Sequence, residues 1–279
     1  MLQVKKLYID TKYKTINSIS SSDFSIELAN TILTPDNCVF YVSDVCIPHA
    51  WYTIETNIND KFYLQIEHTN FTVDIILTLD SKNYTGSDLA VEILTQLNKL
   101  VEYTNKFTFT YDVSRHQIII MCDFGYQFKV LTKNDILTKL NGTWAGFSYD
   151  TANPHDINTC MLRLTDDVSP VYTSTSYFTT TGLDLQPIRN IYITSTMSNY
   201  ASMGPRSGQS NVIKKIPVNA NYNGMVFDGM SSSNDFLDCS KQTLKTIQFR
   251  IENSRGDLIN LHNQEISFSI IFDILNINS

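Results

Sequence analysis

The amino-acid sequence predicts an all-β fold: a single jelly-roll β-sandwich with a smaller α/β domain inserted into it. Composition points that way first. Of 279 residues, 42% are hydrophobic and 18% charged. Ser, Thr and Asn supply the remaining polarity, a mixture that suits strands and long loops better than helices. The second observation is the stretch 243–275. Ile247, Phe249 and Ile251 alternate with Gln248, Arg250 and Glu252, and further on Ile266, Phe268, Ile270, Phe272 and Ile274 alternate in turn. Side chains on a strand change face at every residue. The stretch therefore reads as a pair of strands joined by the turn Asn253-Ser254-Arg255-Gly256-Asp257, where Gly256 can take a positive φ. Their apolar face demands a covering sheet. The third observation is number. About eight strand-like segments with long connections remain once one helix-bearing region is set aside, which fits a jelly-roll. An Ig-like sandwich is the competitor, with about seven strands and shorter loops.

Taken in order, residues 1–22 contain Leu7-Tyr8-Ile9-Asp10 and then the run Ser18-Ile19-Ser20-Ser21-Ser22, which offers little to a core and reads as an N-terminal arm. A jelly-roll domain is expected over 23–59 and 151–279, with the inserted domain over 60–150. Phe24-Ser25-Ile26-Glu27-Leu28 is a short strand and 38–47 a long one, closed by Pro48, which cannot donate to a ladder. Within the insertion, 62–66 and 73–79 read as strands. One helix follows, capped by Thr85 or Ser87 with Asp88 in its first turn and an apolar stripe of Leu89, Ile93, Leu97 and Leu100. Residues 107–111 and 117–122 are strands about a turn at 114–116, and 134–140 is a short helix stopped by Asn141-Gly142. Beyond Pro154, strands are expected at 159–164, 190–197 and 211–218. The long loops 198–210 and 219–238 separate the last of them from their neighbours. No internal repeat of 20–50 residues points to a solenoid or propeller.

The chemistry-bearing residues form no catalytic constellation. The net charge is −7 and no long basic run exists, so a direct role on nucleic acid is not expected. The five Cys, at 38, 46, 122, 160 and 239, form no CxxC and read as reduced thiols, Cys38 and Cys46 acting as small hydrophobes in or beside strands. The N-terminus lacks the apolar core of a signal peptide and no run of 18 apolar residues exists, so the chain reads as soluble and made inside a cell. None of His49, His68, His116, His155 and His262 sits in the H-x-D or H-x-E pattern of a two-His, one-carboxylate metal site. His155 and Asp156 are adjacent and would point to opposite faces of a strand. Gly204-Pro205-Arg206-Ser207-Gly208 has the wrong register for a nucleophile elbow. No phosphate-binding glycine loop is present. Asp166-Asp167 and the pair Asp235 and Asp238 read as solvated loop carboxylates. Trp51, Tyr52, Trp144 and Tyr177-Phe178 could stack on sugars or bases, but more commonly such residues fill a core or an interface. No cofactor is expected.

Several segments resemble a known family. Leu7-Tyr8-Ile9-Asp10, the serine run and Asp23-Phe24-Ser25-Ile26-Glu27-Leu28 resemble the N-terminal segment of penton-type minor capsid proteins of virophages, polinton-like elements and related large DNA viruses. Val42-Ser43-Asp44-Val45-Cys46-Ile47-Pro48, followed by Trp51-Tyr52-Thr53-Ile54, is similar to their first long strand and its Pro-terminated end. Asn83-Tyr84-Thr85 before the helix, and Phe249-Arg250-Ile251-Glu252-Asn253 with Gly256-Asp257-Leu258-Ile259, are similar to recurring pieces of the same group. The order of these short motifs, spanning most of the chain, carries the resemblance. It implies a non-enzymatic virion protein, assembled inside the host cell. One jelly-roll subunit would form a homopentamer at an icosahedral fivefold vertex, next to the major capsid protein. Length agrees, because the trimeric major capsid protein of that lineage carries two jelly-rolls and this chain, less roughly ninety inserted residues, has material for one. Interface candidates are Asp10, Trp51, Tyr52, Ile271 and Leu275. Ile271 and Leu275 fall on the outer face of the last strand with Ser267, Ser269 and Asp273, poorly placed for open solvent. Trp144 is the candidate ligand-contact aromatic of the alternative reading, a β-sandwich carbohydrate- or receptor-binding module. A cupin-like metalloenzyme is a third reading.

Overall fold

In a computed structural model of the chain, residues 5–69, 71–142, 144, 149, 156–164, 169–197, 204–205, 211–229 and 235–275 are described. The expectations placed on His155, Asp166-Asp167 and most of the 198–210 loop lie outside them. The chain divides into two compact units, Met1–Trp51 with Ile188–Ser279, and Tyr52–Pro187. The second is thus wider than the 60–150 expected from sequence. Its additional members are residues 52–59 and the stretch from 151 to 187, in which the sequence predicts a strand at 159–164.

The first unit begins with β1 (Lys6–Asp10), β2 (Asp23–Leu33) and β3 (Cys38–Pro48). The second supplies β4 (Lys61–His68), β5 (Phe71–Thr78), α1 (Gly86–Asn98), β6 (Phe107–Asp112), β7 (Gln117–Cys122), β8 (Tyr126–Val130), α2 (Lys133–Leu140), β9 (Tyr172–Thr173) and β10 (Phe178–Thr179). The first unit then resumes with β11 (Asn190–Ser195), β12 (Val212–Pro217), β13 (Met225–Asp228), β14 (Leu237–Asp238), β15 (Thr243–Glu252) and β16 (Ser267–Ile274).

Two antiparallel sheets make the first unit, β1-β16-β3-β13 and β12-β11-β15-β2, with β14 also paired to β3. The first strand lies beside the last, and all connections but β11–β12 and β13–β14 cross between sheets. This is a jelly-roll. One expectation is corrected. β15 and β16 are not a hydrogen-bonded pair; they lie in opposite sheets and face each other across the core. The turn itself is as read: Asn253 N–H donates to the Asp257 carbonyl (2.9 Å), Gly256 has φ +83° and Glu252 bridges Leu258. The chain then crosses to the other sheet. Two strands so apolar on one face are better satisfied facing each other than side by side, because facing strands cover each other's apolar side chains. Phe249 of β15 meets Phe268 of β16 edge-on at 5.2 Å, and Phe24 of β2 packs beside Phe249 at 5.5 Å.

The N-terminal segment is the second correction. Residues 6–10 form an edge strand in register with β16, from Lys6 opposite Ile271 to Asp10 opposite Ser267. Ile9 is 2% exposed. The serine run is built into the connection to β2. Ser20 Oγ accepts from Ser22 and Asp23 N–H (both 3.0 Å), Ser18 Oγ from Ser25 N–H (3.0 Å), and the buried Ser22 hydroxyl donates to the Ile259 carbonyl. Serine here satisfies backbone groups that a chain crossing between sheets leaves unpaired.

In β3 a bulge sets the pattern. Register against β16 shifts between Ser267 and Ser269, Asp44 takes φ +53°, and Val42 and Val45, three apart, both point inward. One extra residue in the strand restores the alternation beyond it.

The second unit holds two sheets, β5-β4-β8-β9 and β10-β7-β6. α1 packs on them through Leu89, Ala90, Ile93 and Leu97. Leu100, expected on that stripe, falls beyond the helix and is exposed. A capping box joins Thr85 and Asp88. Hydrogen bonds from the Thr85 hydroxyl and N–H hold the Asp88 carboxyl below its ordinary value. That capping contribution is present above the ordinary carboxylate range and is lost as pH falls below it. The strand expected at 159–164 is instead a turn of π-helix, Ile157–Met161, capped by the Asp156 carboxylate on Thr159 N–H at 2.8 Å. Buried Asn158 spends its side chain on the backbone of Tyr63 and Leu131.

Truncating Ile9 to Ala is expected to cost the first unit about 2–4 kcal/mol, and deleting residues 1–10 to lower the thermal midpoint substantially. Calorimetry checks both; an unchanged midpoint after deletion would make this segment a dispensable arm.

Candidate functional site

The two sheets of the first unit present different outer faces to solvent. On β15 and β2 most outward side chains are polar and several are paired. Arg250 reaches Glu252 at 2.6 Å and Asp23 at 3.5 Å, Lys245 meets Glu27 at 3.6 Å, and Gln248 donates to Asp23 at 3.1 Å. Asp23 and Glu252 are themselves buried, so the charges on this face are largely satisfied by one another.

The outer face of β1-β16-β3-β13 differs. Registers place Asp10, Ser267, Cys46 and Phe227 in one row and Lys6, Ile271 and Tyr41 in another, with Tyr8, Ser269 and Ser43 between and Met225 beside Pro48. Tyr8 is 74% and Phe227 54% exposed, and Met225 is similarly bare. Tyr41 holds the half-buried Phe236 edge-on at 5.3 Å. Ile271 is half-buried and Leu275, just past the strand, is exposed. The alternation that buries Phe268, Ile270 and Phe272 inward necessarily sends their neighbours outward. On β16 one of those neighbours, Ile271, is aliphatic, and the adjoining strands add Tyr8, Tyr41, Phe227 and Met225. Exposed apolar side chains gathered on one sheet face are the feature that an interaction surface would need. Within it Lys6 Nζ meets the Asp44 carboxylate at 3.0 Å and lies 5.0 Å from the centre of the Tyr8 ring. The hydrogen bond raises the Lys6 ammonium above its ordinary value and holds the Asp44 carboxyl below its own. Both groups are solvent-exposed, so this pair orients side chains more than it stabilises.

Of the residues expected at an interface, Ile271, Leu275 and Asp10 lie on or beside this face, Asp10 also accepting from Lys12 N–H (2.8 Å) to cap the 3₁₀ turn Thr11–Tyr13. Tyr52 belongs to the second unit, half-buried, its N–H donating to Glu55 Oε1 at 3.2 Å. Trp51 is corrected: at 2% exposure it is core, stacked on His49 at 4.1 Å, whose Nδ1 lies 2.8 Å from the Ala220 carbonyl. Trp144 is corrected likewise. It is 7% exposed and packs on Tyr63 at 5.2 Å, beside Leu131 and Ile136, so it offers no platform to a ligand. Burial, with the nearby Asp156 and Asp60 carboxylates, pushes the Tyr63 phenol up to about 12. Large aromatics next to strand ends fill the interior here because their area is worth more buried.

Sequence reading missed Tyr8, Met225, Phe227 and Phe236. β13 and β14 are four and two residues long and sit in a Gly- and Ser-containing stretch that reads as loop; the alternation Met225-Val226-Phe227 was the available signal. Among the described residues no group of three or more His, Cys, Asp or Glu is placed to hold a metal ion.

No family model matches the chain and no curated protein matches its sequence. A solved structure does: the crystal structure of SeMet-labelled mavirus penton protein is similar over 97% of this chain and 99% of that one, with a TM-score of 0.54 and 13% identity. At that identity the likeness is one of fold, an all-β jelly-roll.

Phe227→Ser and Met225→Ser should shift the melting midpoint by less than about 2 °C, as surface changes do, whereas Trp51→Ala should cost about 3–5 kcal/mol. Equal losses at Phe227 and Trp51 would mean that the outer face is covered within the subunit.

Proposed function

We propose that the chain is a structural capsid protein, a penton subunit that forms homopentamers at the fivefold vertices of an icosahedral virion and meets the major capsid protein there. The observation that carries this reading is the near-full-length likeness to the mavirus penton protein. The apolar outer face of β1-β16-β3-β13 supports it, since a subunit in a ring must bury surface against its neighbours. In a closed ring each subunit offers two different patches, one to each side. The contrasting outer faces of the two sheets, one apolar and one charged, suit that arrangement. Ile271, Leu275, Tyr8 and Phe227 are the residues assigned to the contact. No enzymatic role is assigned, and no helix among the described residues is long and apolar enough to cross a membrane. The protein would be made and assembled inside the host cell and would reside in the capsid.

The alternative, a carbohydrate- or receptor-binding module, loses the observation that motivated it, because both Trp51 and Trp144 are buried.

Electron microscopy of the purified chain at high concentration is expected to show five-membered rings, and co-expression with the major capsid protein to place it in particles. Ile271→Lys should abolish rings while leaving the melting midpoint nearly unchanged. A monomer at every concentration that never enters particles would overturn the reading, and loss of fold together with rings would make Ile271 a core residue.

A further inference from the structure

Two of the five cysteines, Cys38 and Cys239, lie side by side. Cys38 opens β3 and Cys239 follows β14. The β14–β3 register runs Leu237 opposite Phe40 and Asp238 opposite Val39, so Cys239 stands directly opposite Cys38. Cys239 N–H donates to the Cys38 carbonyl at 2.9 Å, and the two Sγ atoms are 3.5 Å apart. Both residues are fully buried. In a hydrogen-bonded antiparallel pair the Cα atoms are about 5.5 Å apart, inside the window that a disulfide spans without moving the backbone.

We propose that Cys38 and Cys239 are a disulfide-forming pair, closed by thiol–disulfide exchange with a small-molecule disulfide oxidant. One cysteine thiolate attacks a sulfur of the oxidant RSSR, giving a mixed disulfide and releasing RS⁻, which takes up a proton. The second cysteine, deprotonated, attacks the protein sulfur of the mixed disulfide and expels a second RS⁻. In total, two protein thiols and RSSR become one protein disulfide and two RSH; the protein loses two electrons and the oxidant gains them.

The surroundings set when this happens. Burial pushes the thiols of both Cys38 and Cys239 up, and in Cys239 the neighbouring Cys38 adds to the effect. Little thiolate therefore forms in the closed fold, and exchange waits on opening. The opening element is at hand, since β14 has two residues and, among the described strands, pairs with β3 alone. Once formed, the bond fixes the end of β14 to the start of β3. It also closes a chain loop whose ends are 201 positions apart, within which the whole second unit lies in sequence. Cross-linking positions so far apart restricts the unfolded chain strongly. The pair thus gives one polypeptide two grades of durability, a reducible state and a locked one.

The test uses the full chain. It is incubated with oxidised glutathione at about pH 8, which increases the fraction of protein thiolate once the pair opens, with and without urea below the unfolding midpoint. Thiols are then counted in denaturant. The count should fall from five to three, faster in urea, and peptide mapping should join Cys38 to Cys239. The melting midpoint should rise by about 5 °C or more and return on reduction. Cys46→Ser should preserve the loss of two thiols, and Cys239→Ser, with its fold confirmed by circular dichroism, should abolish it. Retention of all five thiols in urea, a different cross-link, or a lowered midpoint on oxidation would each overturn the proposal.

Discussion

Everything in the first unit depends on two apolar sheet faces having no other place to go than against each other. Phe249 stands edge-on to Phe268 across the gap and Phe24 leans on Phe249. At least one of these contacts joins the two sheets, so neither sheet is stable alone. The burial of three phenylalanines and the isoleucines around them supplies the driving force. The bulge at Asp44 and the serine-lined connection into β2 are adjustments that let this contact form without leaving backbone groups unpaired.

This constraint explains what could be read from sequence and what could not. Alternation in β3, β15 and β16 is long and strict, and α1 shows its cap and stripe plainly, so these elements were legible. Alternation does not say which strand is the neighbour and which the opposite number. β15 and β16 read as a hairpin because they are close in sequence with a genuine turn between them, yet the turn leads into a crossing. β1 was illegible for a related reason. Its five residues carry a single fully inward side chain, Ile9, and it owes its order to β16, some 260 positions away. Trp51 and Trp144 were misjudged because an aromatic at a strand end looks the same in sequence whether it faces in or out.

The surface assigned to assembly follows from the same alternation. A strand buried on one face must show the other, and the composition of that other face is free of the demands of the core. On β15 and β2 it is charged and internally neutralised. On β1, β16, β3 and β13 it is aromatic and aliphatic, at Tyr8, Ile271, Tyr41, Phe227 and Met225. Such a face carries a solubility cost while the subunit is alone and is useful only when covered. The likeness to a penton protein concerns the scaffold; the face is a feature of this chain's own sequence.

The pairing of β1 with β16 also orders events in time. Residues 52–187 are contiguous, so the second unit has all its parts as soon as that stretch leaves the ribosome. The jelly-roll has not. Its first strand must wait for its last, and β3, though β13 and β14 can reach one of its edges earlier, lacks its partner on the other edge until the same strand arrives. Long-range pairings of this kind are slow to form and leave sheet edges open meanwhile. The apolar outer face lies on the sheet that β16 completes. A chain still under synthesis therefore has no finished β1-β16-β3-β13 sheet, and the outer face of that sheet is complete only with the final strand.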